Sequence, residues 1–312
     1  MSVVLDGRIS GSDGIGRVTD QLHTALTQLG RHHGVTVTTV RPYRIPRYSL
    51  NEGDWLVQTA ADHRAELLHL LDYRSPLCET PIPVIAALLG VADHRVDLVP
   101  CAVDTTVFCP RSHAEVSAAR RRQGLDGPYL VFVGLAHPNK RFGWLTEQLV
   151  TARHRLPAGS QLVAVGGHAN QLPDVHRLLD DLDAHDFVRY TGRIDDDELA
   201  ALYTGASAWV TASLNEGNNL PPLEALACGS QVIATDIPPL RETIGPNAMF
   251  YPPFDSTTLV DAAASALRGN LDHRRPEYRA PAWDDSATTL VKSWQRALEA
   301  GRCCRGHDRG WI

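Results

Sequence analysis

With 312 residues the chain is long enough for two cores of ordinary size, and its 30 basic and 36 acidic residues (formal net charge −6) argue against nucleic acid or an anionic membrane as the main partner. The six cysteines (Cys78, Cys101, Cys109, Cys228, Cys303, Cys304) form no paired framework and no C-x-x-C metal spacing, which points to a reducing cytoplasm. No charged start followed by an apolar run marks a signal peptide, and the longest apolar stretch, near Val84 to Ala92, is far short of the roughly 20 residues a membrane helix needs.

In chain order, Val3 to Asp6 reads as a short strand, followed by a glycine-spaced loop with Gly11, Gly14 and Gly16. Leu22, Ala25, Leu26 and Leu29 then recur at helical spacing. Val35 to Val40 alternates as a second strand, and Trp55 to Thr59 reads as a third. Arg111 to Gly127, charged and ending Gly-Leu-Asp-Gly-Pro, reads as a hinge and the entry to a second domain. Strands follow at Tyr129–Val133, Gln161–Val165, Val188–Thr191, Ala208–Thr211 and Gln231–Thr235, each with a helix behind it. A last helix, 284–299, follows Trp283 with Leu290, Trp294 and Leu298 on one face, and residues 300–312 read as a loose tail. Strands alternating with helices predict an α/β fold with mostly parallel sheets. There is no internal repeat.

Chemistry concentrates in S-L-N-E-G-N-N-L-P-P-L-E-A-L-A-C-G-S-Q-V-I-A-T-D-I-P-P, Ser213 to Pro239. The apolar run Ala208–Thr211 suits a buried parallel strand, and Pro221 and Pro222 are suited to open a helix that Gly229 ends. Glu216 falls on the turn and Glu224 in the first helical turn, flanking a helix end whose free N–H groups and dipole favour an anion. Carboxylates that accept hydroxyl donors, beside amides that hold phosphate, suit a ligand with sugar and phosphate parts.

This stretch resembles the E-x7-E signature of the retaining glycosyltransferases of family 4, which have the GT-B fold of two Rossmann-like domains facing across a cleft. L-V-P-C-A-V-D-T-T-V-F-C-P, Leu98 to Pro110, resembles that family's interdomain passage. Y-L-V-F-V-G-L-A-H-P-N-K, Tyr129 to Lys140, resembles the opening strand and loop of its donor-binding domain, and G-S-D-G-I-G-R, Gly11 to Arg17, its first N-terminal loop. The resemblance implies a shortened N-terminal acceptor-side domain over 1–110, a donor-binding domain over 111–283, and a final helix crossing back to the first domain.

It also implies roles. Glu224 would bind the nucleotide's ribose hydroxyls, and Glu216 the donor sugar, beside the N–H groups of Gly217, Asn218, Asn219 and Leu220. Thr191-Gly192-Arg193-Ile194 matches the strand end that lines the base, through Arg193 and Ile194. Lys140 is one of only two lysines in a chain with 28 arginines, and as a compact cation it suits the diphosphate leaving group. Where family members carry an arginine after the strand's glycine, Leu135 stands, leaving Lys140 alone or aided by Arg141 or Arg193. Gly14 and Gly16 would let the backbone approach phosphate or donor sugar. The family's histidine before an aspartate falls at Leu71, before Asp72, so His69 is the nearest catalytic candidate and His63 a second.

Two tempting metal sites are refused. Asp195-Asp196-Asp197 is a literal D-x-D but precedes Glu198 and Leu199–Leu202, as a helix N-cap does, and the 14 histidines show no ligand spacing. The expectation is a metal-independent retaining glycosyltransferase with no cofactor beyond its nucleotide-diphosphate sugar. Its acceptor hydroxyl would belong to a small molecule or glycan, and a homo-oligomer is left open. A silent nucleotide-sugar-binding subunit, or a nucleotide-sugar hydrolase or epimerase on the same fold, remains as an alternative.

Overall fold

The computed structural model describes residues 2–6, 14–33, 35–40, 67–69, 99, 101–134, 138–167, 172–216, 219–271 and 278–304. The chain divides into two compact units, one of residues 1–102 with 281–312 and one of residues 103–280.

In the first unit, β1 (Ser2–Asp6) lies between β2 (Thr36–Val40) and β3 (Leu67–His69), and both pairings are parallel. Helix α1 (Gly14–His33) links β1 to β2, and Leu22, Ala25 and Leu26 on it are buried. They pack in one cluster with Ala287, Leu290, Val291 and Trp294 of the last helix, Trp283–Cys304. That helix runs longer than its expected span, so residues 300–304 are helical rather than part of a loose tail. The residues expected to form a third strand, 55–59, lie outside the described residues.

The second unit opens at residue 103. The segment expected to be a hinge folds as α2 (His113–Gln123), closed at its start by a capping box. Ser112 Oγ accepts from the Glu115 N–H, and the Glu115 carboxylate accepts the Ser112 N–H at 2.9 Å. Gly124, in the left-handed conformation, ends it.

A six-stranded parallel sheet follows, ordered β6-β5-β4-β7-β8-β9 in space. The strands are β4 (Tyr129–Val133), β5 (Gln161–Val165), β6 (Val188–Gly192), β7 (Ala208–Val210), β8 (Val232–Thr235) and β9 (Met249–Tyr251). Alternate residues of a strand point to opposite faces, and here both faces are covered. Leu130 and Phe132 pack with Leu145 and Leu149 of α3 (Phe142–Thr151) and Leu259 of α8 (Ser256–Leu267). Tyr129 and Val131 pack on the other side with Leu199 to Tyr203 of α5 (Asp196–Gly205), Leu223 and Leu226 of α6 (Leu220–Ala227) and Leu240 of α7 (Pro238–Ile244). That double burial makes these strands continuous apolar runs. Burying each such side chain contributes about 1.5–3 kcal/mol. Helix α4 (Leu172–Asp181) links β5 to β6, and the last helix is α9.

From β4 the order runs outward through β5 and β6 on one side, and from β7 through β8 and β9 on the other. The connection after β4 leads to α3 on one face, and that after β7 leads to α6 on the opposite face. The loops beyond the carboxyl ends of β4 and β7 therefore part at a topological switch point, where open α/β sheets form ligand crevices.

Candidate active site

Lys140 and Glu216 meet at that switch point. Lys140 ends a single 3-10 turn, Pro138–Lys140, after β4, and Glu216 stands on the loop after β7. The Lys140 ammonium donates to both Glu216 carboxylate oxygens, at 2.6 and 2.7 Å. Their side chains are 18% and 6% exposed.

The two loops are stitched together by more than this ion pair. The Leu214 N–H donates to the Asn139 carbonyl at 3.0 Å, and the Asn139 side-chain amide donates to the Asn215 carbonyl at 2.9 Å. Below them, Tyr251 donates its hydroxyl to the Thr211 carbonyl at 2.8 Å, and burial pushes that phenol up to about 12. Thr211 and Ser213 share a buried hydroxyl–hydroxyl bond of 2.8 Å. Gly134, which closes β4 with φ of 101°, lies under the lysine stem, and a Cβ there would sit 3.5 Å from Lys140 Cε. The loop after β7 therefore leaves the sheet along a fixed path.

Glu224 lies within α6 and is 3% exposed, and Tyr203 of α5 donates its hydroxyl to it at 3.4 Å. Helix α6 starts at Leu220, one residue before the proline expected to open it, with Asn219 as N-cap. Pro221 and Pro222 thus occupy its second and third positions, and neither has an N–H. Among the described residues the expected anion seat of helix N–H groups is reduced to those of Asn219 and Leu220. Gly217 and Asn218 lie outside the described residues.

The remaining expected residues are dispersed. Arg193 lines a cavity of about 920 Å³ that follows β6 at the sheet edge, with Arg121, Arg189, Tyr190 and Gly192, and the Lys140–Glu216 pair is not part of it. Ile194 packs its side chain against the core instead. Arg141 is taken up by aromatic rings, its guanidinium 4.1 Å from the Trp144 centroid and 4.3 Å from that of Phe254. Burial lowers its pKa, and φ of 50° puts its backbone in the left-handed region. Leu135 lies outside the described residues. In the first unit, Gly14 and Gly16 fall in the opening turn of α1 rather than in the loop before it, and Gly11 is outside the described residues. His69 ends β3, opposite Leu5 of β1. His63, Leu71 and Asp72 are outside the described residues.

The D-x-D segment is occupied as a cap requires. The Asp195 carboxylate accepts from the Glu198 N–H at 2.7 Å, and Asp197 receives Arg111 at 2.7 Å. Asn139 and Tyr203 escaped the sequence reading. Asn139 stands beside Lys140 in the quoted block and was open to notice, whereas Tyr203 is 21 positions from Glu224 and no spacing rule joins them.

Residues 127–269 match the family described as Glycosyl transferases group 1. Over 268 residues the chain is 30% identical to the D-inositol 3-phosphate glycosyltransferase of Frankia alni, a match covering 82% of this chain and 55% of that one. Over 203 residues it is 26% identical to the serotype-specific mannosyltransferase WbdA of Escherichia coli, covering 61% of this chain and 24% of that one. The chain thus spans only part of the length of these curated relatives. The crystal structure of Anabaena Alr3699/HepE in complex with UDP and glucose has a TM-score of 0.64 at 15% identity, over 97% of this chain and 98% of that one. The fold is that of the GT-B glycosyltransferases.

Proposed function

We propose that the protein is a retaining glycosyltransferase of family 4, moving a sugar from a nucleotide-diphosphate sugar to an acceptor hydroxyl without a metal. The observation that carries this reading is the Lys140–Glu216 pair at the switch point of the six-stranded sheet. A cation there meets the charge that develops on a departing diphosphate, and a carboxylate beside it holds sugar hydroxyls. The group 1 domain and the glycosyltransferase relatives support the same reading.

In the reaction, the acceptor oxygen bonds to the anomeric carbon on the face from which the diphosphate departs. The bond between that carbon and the diphosphate oxygen breaks, and the acceptor's proton passes to a donor phosphate oxygen. Lys140 stabilises the leaving group, Glu216 orients the sugar and Glu224 the ribose. The resemblance implies sugar contact by the backbone N–H groups of 217–220 and base contact at Arg193 and Ile194, the latter through its backbone because its side chain packs on the core. His69, Gly14 and Gly16, in the first unit, keep the donor-sugar roles that the resemblance implies, and substitution tests them separately. The cap and ion pair that occupy Asp195 and Asp197 support charge neutralisation by Lys140 rather than by a metal at the D-x-D.

Cys101, Cys109 and Cys228 are free thiols, which supports a cytoplasmic setting. Among the described residues no helix is long and apolar enough to cross a membrane.

The test is nucleoside diphosphate release from a panel of UDP-, GDP- and ADP-sugars with varied acceptors, with and without a chelator, and the product anomer read by NMR. Release with the donor's configuration kept, and unaffected by chelation, is expected. Inversion refutes the mechanism, and chelator sensitivity refutes metal independence. Donors that stabilise the fold but release nothing with any acceptor identify a silent binding subunit.

A further inference from the structure

Arg141, the residue after Lys140, is the N-cap of α3 and has φ of 50° and ψ of 41°, in the left-handed region. Ser112, Asp195, Asn219, Ile237 and Asp255, which hold the same place before five other helices of this unit, are extended. A left-handed backbone suits glycine or asparagine and strains a residue with a long side chain. The Arg141 side chain makes no hydrogen bond to the helix it starts. Its guanidinium lies 4.1 Å from the Trp144 ring centroid and 4.3 Å from that of Phe254, both within cation–π reach. Among the described residues its Nη1, sealed from solvent, has no hydrogen-bond partner, so rings rather than an anion hold the group.

Phe254 is unusual in the same way. It stands between β9 and α8, is 65% exposed, and has φ of 68°. Three non-glycine residues among those described have positive φ, and two of them meet in this stack. Such strain persists only where the surroundings over-determine it. On one side of Arg141, α3 is anchored by buried Phe142, whose ring centroid is 5.1 Å from that of Phe132, and the Leu145 N–H donates to the Arg141 carbonyl at 3.0 Å. On the other side is the turn that ends in Lys140, whose ammonium meets Glu216. A single backbone turn thus joins a fixed helix to the lysine, and the conformation of Arg141 sets the direction in which Lys140 leaves it.

We propose that Arg141, clamped by Trp144 and Phe254, is a positioning residue for Lys140: the stack holds the left-handed turn that aims the lysine ammonium at the donor's diphosphate, an inference that rests on the donor-site reading above. Arg141 acts through Lys140 and touches no phosphate itself. The clamp makes exposed Phe254, on a loop remote in sequence, a determinant of how the leaving group is met.

The experiment compares the wild type with Phe254→Ala, which keeps every charge, Phe254→Tyr, which keeps a ring, and Arg141→Ala. Phe254 is mostly exposed, so its replacement leaves the core intact, and melting curves establish that each variant folds. Trace acetylation with acetic anhydride, mapped by mass spectrometry, reads the chain's two lysines directly, with exposed Lys292 as the internal standard. Calorimetry with UDP, GDP and ADP reads diphosphate affinity. In Phe254→Ala and Arg141→Ala, Lys140 should label about three-fold faster or more relative to Lys292, and diphosphate affinity should fall about five-fold or more, because a charge-assisted contact depends on alignment. Phe254→Tyr should stay within about two-fold of the wild type in both measurements, since a tyrosine ring also attracts a guanidinium. Unchanged labelling or unchanged affinity in Phe254→Ala overturns the clamp and leaves the donor-site reading standing. Loss of affinity in Arg141→Ala alone overturns it too, and makes Arg141 a phosphate ligand in its own right. If the wild type binds none of the diphosphates, the donor-site reading itself falls, and the clamp with it.

Discussion

Replacing one member of the Lys140–Glu216 pair separates what the pair does for the fold from what it does for a ligand. The ammonium reaches both carboxylate oxygens at 2.6 and 2.7 Å, and the side chains are 18% and 6% exposed, so water screens them little. At an effective dielectric of about 20 and a charge separation near 4 Å, the attraction is about 4 kcal/mol, offset largely by the cost of drying two ions. Breaking a fully buried pair costs about 3–5 kcal/mol because one charge is stranded. Residual access of water to Lys140 brings the expectation for Lys140→Met or Glu216→Gln to about 2–3 kcal/mol each. The double variant strands no charge, so it should lie within about 1 kcal/mol of the wild type, leaving a coupling of several kcal/mol. Urea unfolding of the four proteins followed by tryptophan fluorescence measures this. Single variants within about 0.5 kcal/mol of the wild type, or additive effects, would refute the reasoning about the fold. Calorimetry with a nucleoside diphosphate then addresses function. The stable double variant should lose about 1.5–3 kcal/mol of affinity, roughly 10- to 150-fold, for want of the charge-assisted contact. Undiminished affinity would remove Lys140 from the phosphate site.

Gly134 has φ of 101°, and an added Cβ meets only ordinary contact with Lys140, so backbone strain sets the cost of Gly134→Ala at about 1–3 kcal/mol. Exposed Asp196→Ala should stay within about 0.5 kcal/mol, and equal urea midpoints for the two would contradict this account. The hydroxyl and backbone N–H of Ser112 hold the Glu115 carboxyl below its usual range, and the Thr258 backbone N–H and hydroxyl do the same for Asp255. Depressed native values mean that the unfolded chain takes up protons first. The stabilisation is therefore complete above the unfolded value, about pH 4, and is lost as pH falls through the folded one. Melting temperature should fall less steeply with acid in Glu115→Gln than in the wild type, and parallel profiles would rule the capping box out as a source of acid sensitivity. Burial pushes the Cys228 thiol up to about 12, so peptide mapping after alkylation at pH 8 should find it protected until denaturant is added. Rapid labelling of Cys228 in the native protein would refute that burial.

The strands of the second unit were legible in the chain because each is covered on both faces, which turns a strand into a plain apolar run such as Tyr129–Val133. Motif spacing likewise marked Glu216, Glu224 and Lys140, and Asp195 with its acidic followers announced a cap. Local signals failed where two rules competed for one segment. Charge and glycine suggested a hinge over 111–127, while the Ser112–Glu115 box and a left-handed Gly124 made a helix, and the proline expected to open α6 sits one residue inside it. The three-residue β9 exists because β8 supplies its hydrogen-bond partners, which no short window contains. Tertiary structure alone decided that Lys140 and Glu216, 76 positions apart, share one ion pair: β4 and β7 are neighbours in the sheet, and only the packing of helices on opposite faces makes them so. It also decided that Asn219 caps α6 without a side-chain bond, because the two helical residues whose N–H groups it would take are prolines, which matters only once the helix start is fixed.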